Sequence, residues 1–477
     1  MDNLDYKIKE IFPNESVLKM PDKYSIFHGK NIPSFIKDWL IKKFMDTNGD
    51  INISGLIKFM EDHIPQKGNN LKGKLITDRK QIKVLARILI EPDIRKGFLK
   101  FSIPDLGIRF NEGIIPQYIV KEYPELKGGE VWGVVSLSYV PPENSDLKHG
   151  YIELIDYKPF KPYKVDLSYY KEARKEFSTE EWIDLLIRSM EYNPKSFNSL
   201  FQKLEFISRL LIFVEPRLNL IELAPKGTGK SYVFGNLSKY GWIVSGGTIS
   251  RAKLFYDISK NMPGIITQYD FVAFDEIQTI KFTDENELRG ALKSYLESGT
   301  FSVGNIKQTS NAGVILLGNI EFIRDEKSLI PKNPIYFKNL PRIFLESALL
   351  DRFHGFIEGW KLPRINEDLK VKGFALNVEY FSEVLHNLRD KGEYAAVVDE
   401  LIKVPHRADT RDVTAIKRIT TAYLKLIFPN VEDLHTLSKD SFDKYCLSLA
   451  KERRKIIREQ IHLIDPEYSS EVPDISI

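Results

Sequence analysis

The chain has 477 residues, 43% of them apolar and 28% charged, with 69 basic against 66 acidic side chains and a formal net charge of +3. That length exceeds one compact core and sets an expectation of two to four domains, in a composition ordinary for a soluble globular protein. No long charge-free apolar run marks a membrane span, and Met1-Asp2-Asn3-Leu4-Asp5 lacks the basic-then-apolar pattern of a secretory signal. The single Cys446 excludes an internal disulfide framework and a multi-cysteine zinc site, which fits a reducing cytoplasm with no membrane partner.

From residue 1 to about 105 the period is mostly helical. Ser34 to Phe44 sets Phe35, Trp39, Ile41 and Phe44 among Lys37, Lys42 and Lys43, and Ile82 to Ile90 reads as a second apolar-basic helix. Over 106–165 the pattern changes to Val131–Tyr139, a Pro-Pro-Glu-Asn turn and Tyr151–Tyr157, which predicts a small β-barrel or sheet module. Lys158–Lys164, with Pro159 and Pro162, reads as a linker. Ser178-Thr179-Glu180-Glu181 then caps a helix carrying Trp182, Leu185, Leu186 and Met190.

Across 166–365 the runs Leu218–Leu223, Trp242–Val244, Phe271–Phe274 and Val314–Leu317 alternate with helical stretches, as in an α/β core with a parallel sheet flanked by helices. Residues 366–465 return to helical period and read as a C-terminal lid, and 466–477, with Pro466 and Pro473, as a disordered tail. Two basic clusters, Lys37/Lys42/Lys43 and Lys451/Arg453/Arg454/Lys455/Arg458, read first as solvated helix faces, with nucleic-acid contact as the alternative.

The run Leu218–Leu223 leads into Ala224-Pro225-Lys226-Gly227-Thr228-Gly229-Lys230-Ser231, the G-x-x-x-x-G-K-[ST] pattern (Walker A) with Ala224 in place of the first glycine. Gly227 and Gly229 let successive amides turn toward phosphate, and the next helix begins at the anion. Lys230 is expected to reach the β- and γ-phosphates of ATP, and the Ser231 hydroxyl to ligate Mg²⁺. Ala224 fits if it keeps a negative φ. Downstream, Phe271-Val272-Ala273-Phe274 ends in Asp275-Glu276 (Walker B), a buried strand whose two acids need a cation to face. Asp275 is expected to serve Mg²⁺ directly or through water, and Glu276 to act as general base. A third strand ends at Asn319, placed to hold the attacking water. Arg352, in Leu349-Leu350-Asp351-Arg352-Phe353, is the best arginine for the transition-state charge, and Arg411, opening a helix, could reach the nucleotide from the lid.

Several stretches resemble the Lon-like AAA+ protein of BREX phage-defence systems, the BrxL family, over nearly the whole chain. They are Asn219–Ser231, Ile243–Thr248 through Leu254-Phe255-Tyr256, Val272–Glu276 and Glu176–Ser189. The resemblance implies a homo-oligomeric AAA+ ring, a hexamer or stacked rings, with an ATPase core similar to MCM helicases. It also implies a DNA-binding N-terminal region, double-stranded DNA and other BREX components as partners, and a role in restricting phage. On the same footing Arg352 is a finger acting across a subunit boundary and Arg411 matches the sensor-2 arginine. Gly299–Lys307 resembles a hairpin facing the ring channel, with Lys307 as a phosphate contact beside Lys42 and Lys43. Family members carry a Lon-protease-like domain after the ATPase. This sequence stops near its expected start, so the polypeptide is expected to be an ATPase, with DNA translocation one use of its turnover, and not itself a protease.

A different class stays open: an unfoldase serving a separate peptidase. Such motors grip substrate with an aromatic-apolar pore loop, and Phe301-Ser302-Val303-Gly304 has that character on a sensor-side hairpin. The basic-aromatic stretches with Lys37, Trp39, Lys42, Lys43, Lys83 and Arg87, and the β module, favour nucleic acid.

Overall fold

The computed structural model describes every residue except 31, 47–49, 66–69, 94–96, 128, 145–148, 260–261, 326–327 and 432–436. It divides into two compact units, one of Lys23–Lys164 with Tyr256–Gln268, the other of Met1–Asp22, Val165–Phe255 and Tyr269–Ile477.

The first unit is built on a closed barrel of five strands: β1 (Ile82–Asp93), β2 (Phe98–Ile103), β3 (Ile108–Ile115), β4 (Gly129–Val140) and β5 (Tyr151–Pro159). Their order is β1-β2-β3-β5-β4, with β3 and β5 parallel and every other pair antiparallel. A short helix, Gln117–Glu122, lies between β3 and β4. The helix expected over Ile82–Ile90 is therefore a strand. Val84, Ala86, Ile88 and Ile90 are buried at alternate positions, and the run pairs in register with β4 from Ile82↔Leu137 to Ile90↔Gly129. A period of two along β-branched residues satisfies the barrel core, where a helix would have turned half of them to solvent. The boundary expected at 105 falls inside the barrel. The helix expected at Ser34–Phe44 is present, with Lys43 exposed and its ammonium over the rings of Trp39 (4.8 Å) and Phe59 (4.4 Å), and with Lys42 half-buried.

The second unit carries a five-stranded sheet: β6 (Asn219–Ala224), β7 (Gly241–Ser245), β8 (Phe271–Asp275), β9 (Gly313–Asn319) and β10 (Gly355–Glu358), in the order β10-β6-β9-β8-β7. All neighbours run parallel. Strands β6 and β8 are buried along their whole length, and β9 up to its last residue, which is why they read as mostly apolar runs without alternation, Glu222 being the exception within β6. Four strands fall where the sequence placed them; β10 was not foreseen. Ser178 caps the helix Thr179–Ser189 in a full capping box with Glu181, and Trp182 is buried beneath it, donating to Leu426 O at 2.9 Å.

Helices Val378–Arg389, Glu393–Leu401, Thr410–Ile427 and Ser448–Ile464 make up most of the C-terminal region. On the last one Lys455 is exposed and Lys451 half-buried, but the three arginines of the cluster are not solvated. Arg453, Arg454 and Arg458 are buried, pairing with Glu205 (2.5 Å), Asp351 and Asp412 (2.6 Å each), and Asp412 (3.0 Å). Buried guanidiniums need such partners, so these three charges join the last helix to the helices Leu200–Ile207 and Thr410–Ile427 and to the segment before β10, and are withdrawn from any nucleic-acid role. The tail is ordered as well: Ile475 is buried, Lys403 bridges to Ser476, and Lys451 Nζ donates to Ile475 O at 2.8 Å. An apolar residue near the end found an unfilled place, which composition could not reveal. Among the described residues no helix is long and apolar enough to cross a membrane.

Candidate nucleotide site

Strands β6, β9 and β8 are neighbours and parallel, so the segments leaving their carboxyl ends share one edge of the sheet. From β6 comes the glycine loop, from β9 Asn319, from β8 Asp275 and Glu276. Ala224 is the last residue of β6, paired with Asn319, and continues the strand, so the missing glycine costs nothing there. Gly227 (φ +81°) and Gly229 (φ +79°) take the left-handed turns that an L side chain resists. A Cβ at Gly229 would lie 2.1 Å from Tyr192 Oη, whereas one at Gly227 meets nothing within 4 Å.

Lys230 opens the following helix and is 8% exposed. Its ammonium rests on two neutral oxygens, Pro225 O at 3.3 Å and Asn319 Oδ1 at 3.2 Å. Burial lowers its pKa, against the pull of Glu222, Asp275 and Glu276. A desolvated ammonium that donates to these neutral oxygens suits an incoming phosphate. Ser231 beside it is exposed. Asp275 is buried and accepts the Glu276 N–H on Oδ1 at 3.0 Å. Glu276 is exposed and left-handed (φ +49°, ψ +48°), a costly backbone state of the kind found at working residues. The donors and acceptors present thus suit a Mg²⁺-bound triphosphate: the loop amides of Lys226 to Gly229, one ammonium, one hydroxyl and two acids.

Other residues, absent from the sequence reading, hold this edge in shape. Arg209 and Glu222 form a fully buried two-point ion pair (Nη2–Oε1 2.5 Å, Nε–Oε2 3.0 Å), and Arg209 Nη1 donates to Thr228 O at 2.8 Å, bracing the glycine loop from beneath. A glutamate amid the apolar Leu-Ile-Glu-Leu was the available sign. Gln278 donates to Asn319 O at 2.6 Å and accepts the Asn319 N–H at 3.4 Å. Ile365 donates its N–H to Gly227 O at 2.8 Å. Burial pushes the Tyr192 hydroxyl up to about 12, so it stays protonated below Gly229.

Arg352 and Arg411 do not join this group. Arg352 precedes β10, and its carbonyl accepts from Asn219 Nδ2 at 3.5 Å, at the amino end of β6. Six residues of strand, roughly 16 Å, separate that end from the glycine loop. Arg411 ion-pairs with Asp351 (3.1 Å) and Glu297 (3.2 Å), and Arg352 with the same Glu297 (2.8 Å), so both arginines lie at the amino edge. The lid route from Arg411 to its own nucleotide is thereby closed by distance. Lys307 is exposed on the hairpin Thr300–Val303/Ile306–Thr309, opposite Ser302. Phe301 and Val303 on that hairpin are buried, Phe301 against the rings of Phe255 (4.8 Å) and Tyr295 (6.1 Å).

A parallel sheet with this edge is the setting of an ATPase domain, and the family comparisons agree. The family described as "Lon-like protease BrxL-like, ATPase domain" matches residues 152–474, and "BREX system Lon protease-like protein BrxL N-terminal" matches residues 10–139. The chain belongs to the BrxL family. It is 28% identical over 465 residues to a Lon-like protease BrxL of Escherichia coli O9:H4 (strain HS), covering 96% of this chain and 65% of that protein. To a Lon-like protease BrxL of Bacillus cereus (strain H3081.97) it is 28% identical over 440 residues, covering 91% of this chain and 63% of the relative. The alignments thus span just under two thirds of either relative.

Proposed function

We propose that the chain is an AAA+ P-loop ATPase that assembles with copies of itself into a ring, a hexamer or stacked rings, and engages double-stranded DNA in BREX-type antiviral defence in the cytoplasm, with other BREX components. The observation that carries this reading is the meeting of Lys230, Asn319, Asp275 and Glu276 at one edge of three adjacent parallel strands.

In the loop Pro225 to Gly229 the N–H groups of Lys226 to Gly229, together with the Lys230 ammonium, bind the phosphates. Ser231 and Asp275 would hold Mg²⁺, which supplies charge neutralisation across the β- and γ-phosphates. Glu276 takes the proton of the attacking water, and Asn319, held by Gln278, orients that water. Arg352 and Arg411, too far from their own glycine loop, serve the nucleotide of a neighbouring copy, as in MCM-type rings.

The DNA part of the reading rests on the barrel unit. Its strand order β1-β2-β3-β5-β4 is that of a Greek-key barrel of the OB type, an architecture that binds oligonucleotides across strands 2 and 3 and the adjoining loops. A cleft of about 580 Å³, lined in part by Asp93, Phe98, Leu99 and Lys121, opens beside β2. Lys42, Lys43 and the hairpin residue Lys307 are further phosphate contacts. The burial of Phe301 and Val303 disfavours the unfoldase alternative, whose pore loop must present its aromatic to substrate.

Three experiments test the reading. Glu276→Gln should bind ATP and lose turnover; near-normal hydrolysis removes Glu276 from the mechanism. Arg352→Ala should bind ATP without hydrolysing it and regain activity when mixed with Lys230→Ala, and an absence of rescue argues against shared sites. DNA affinity should fall steeply with salt. A flat response, or no duplex binding at low salt, favours the unfoldase.

A further inference from the structure

We propose that Glu297 is a positioning residue for ATP hydrolysis: its carboxylate gathers the Arg352 and Arg411 guanidiniums onto one point, so that the pair meets the terminal phosphate of a nucleotide held by a second copy of the chain. The inference rests on Arg352 acting between copies and adds a residue that touches no nucleotide.

Glu297 Oε2 lies 2.8 Å from Arg352 Nε and 3.2 Å from Arg411 Nη2, so one oxygen takes both cations. Two guanidiniums this close repel unless an anion stands between them. The two are not held equally. Arg411 has a second anchor in Asp351 Oδ2 at 3.1 Å, and Asp351 is buried and fixed by Arg454 at 2.6 Å. Among the described residues Arg352 has its ion pair with Glu297 and a hydrogen bond to the Ala348 carbonyl, so its ion pairing depends on Glu297.

Glu297 itself stands on firm ground. It occupies the last turn of the helix Glu285–Ser298, closed by Gly299 at φ +75°. Arg217 Nη1 donates to Ser298 O at 2.6 Å, and the Ser310 N–H donates to Gly299 O at 2.9 Å, tying the helix end to the base of the Lys307 hairpin. The Glu297 side chain is 43% exposed, so the ion pairs contribute little to stability and an anion from solvent can approach the same point. Removing the carboxylate frees Arg352 to swing away. The nucleotide, bound by the glycine loop of the other copy, stays where it was.

The test is steady-state ATPase of the full chain carrying Glu297→Gln. kcat should fall roughly tenfold, the cost of a misplaced charge-stabilising group, with KM for ATP and Tm unchanged. Glu297→Asp should recover part of the loss. On the residual rate left by Arg352→Ala, read in single turnover at high enzyme concentration, Arg352→Ala/Glu297→Gln should be no slower than Arg352→Ala alone, because the two act as one unit. Wild-type or raised kcat in Glu297→Gln, a rise in KM instead, or further loss in the double variant overturns the proposal. If Glu297→Gln does not fold, Glu297→Asp with the Arg352→Ala/Glu297→Asp pair gives the same comparison. Full activity of Arg352→Ala would instead defeat the parent reading.

Discussion

Lys230 Nζ donates to Asn319 Oδ1 at 3.2 Å, joining the helix after the glycine loop to the tip of the central strand. Both side chains are expected at the same phosphate, and this hydrogen bond sets the spacing between them before any nucleotide arrives. Asn319 is held from behind by Gln278, through its carbonyl and its N–H.

That clamp yields a first expectation. Gln278→Ala should leave the strand in place and loosen Asn319. Losing one such hydrogen bond, about 1 kcal/mol, should lower kcat about fivefold while ATP affinity holds. A variant with unchanged kcat would show that Gln278 does not position Asn319.

The two loop glycines should differ. Gly227→Ala meets only the left-handed backbone penalty, about 1–2 kcal/mol, since a Cβ there has open space. Gly229→Ala meets the same penalty and places its Cβ 2.1 Å from the buried Tyr192 hydroxyl. Nucleotide titration should show the larger loss for Gly229→Ala, and equal losses would refute the role of Tyr192 as the floor of the loop.

Arg209 and Glu222 are both fully buried, so removing one strands the other. Arg209→Met should destabilise the protein by about 3–5 kcal/mol, whereas Arg209→Met/Glu222→Leu should recover much of it. Denaturant unfolding measures both. ATP affinity should stay weakened in the double variant, because the donor to Thr228 O is gone; full recovery of binding would separate the pair from the loop.

A pH dependence follows from Glu130 on β4, whose carboxyl is pushed up to about 6, chiefly by burial, with Arg87 at 3.8 Å opposing. The folded state holds this proton more tightly than the unfolded chain, so its contribution is present below pH 4.5, the ordinary value, and is lost as pH rises to about 6. Glu130→Gln should remove that fall, worth about 2 kcal/mol, and raise Tm most at pH 7. A Tm gain equal at pH 4 and pH 7 would contradict it.

Much of the ATPase unit was legible because its signals are local. Leu218–Leu223 and Phe271–Phe274 had to be buried strands, and the residues that follow each are those that phosphate and a divalent cation require. Ile82–Ile90 misled because a short apolar-basic run fits either period until a partner strand is known, and β4 is that partner. The basic stretch Arg453–Arg458 misled for a related reason: its counter-charges Glu205, Asp351 and Asp412 lie far away in the chain.

By itself the sequence determined the contents of the candidate nucleotide site, since a glycine loop, a lysine and a strand-ending pair of acids are contiguous patterns whose chemistry does not depend on what lies elsewhere. Only the tertiary structure decided which edge of the sheet each group occupies. Strand order put Asn319 between the loop and the acids and sent Arg352 and Arg411 to the opposite edge, where Glu297 gathers them. The reason is physical: order in a parallel sheet is set by long-range packing between strands distant in sequence, which no short window of residues encodes.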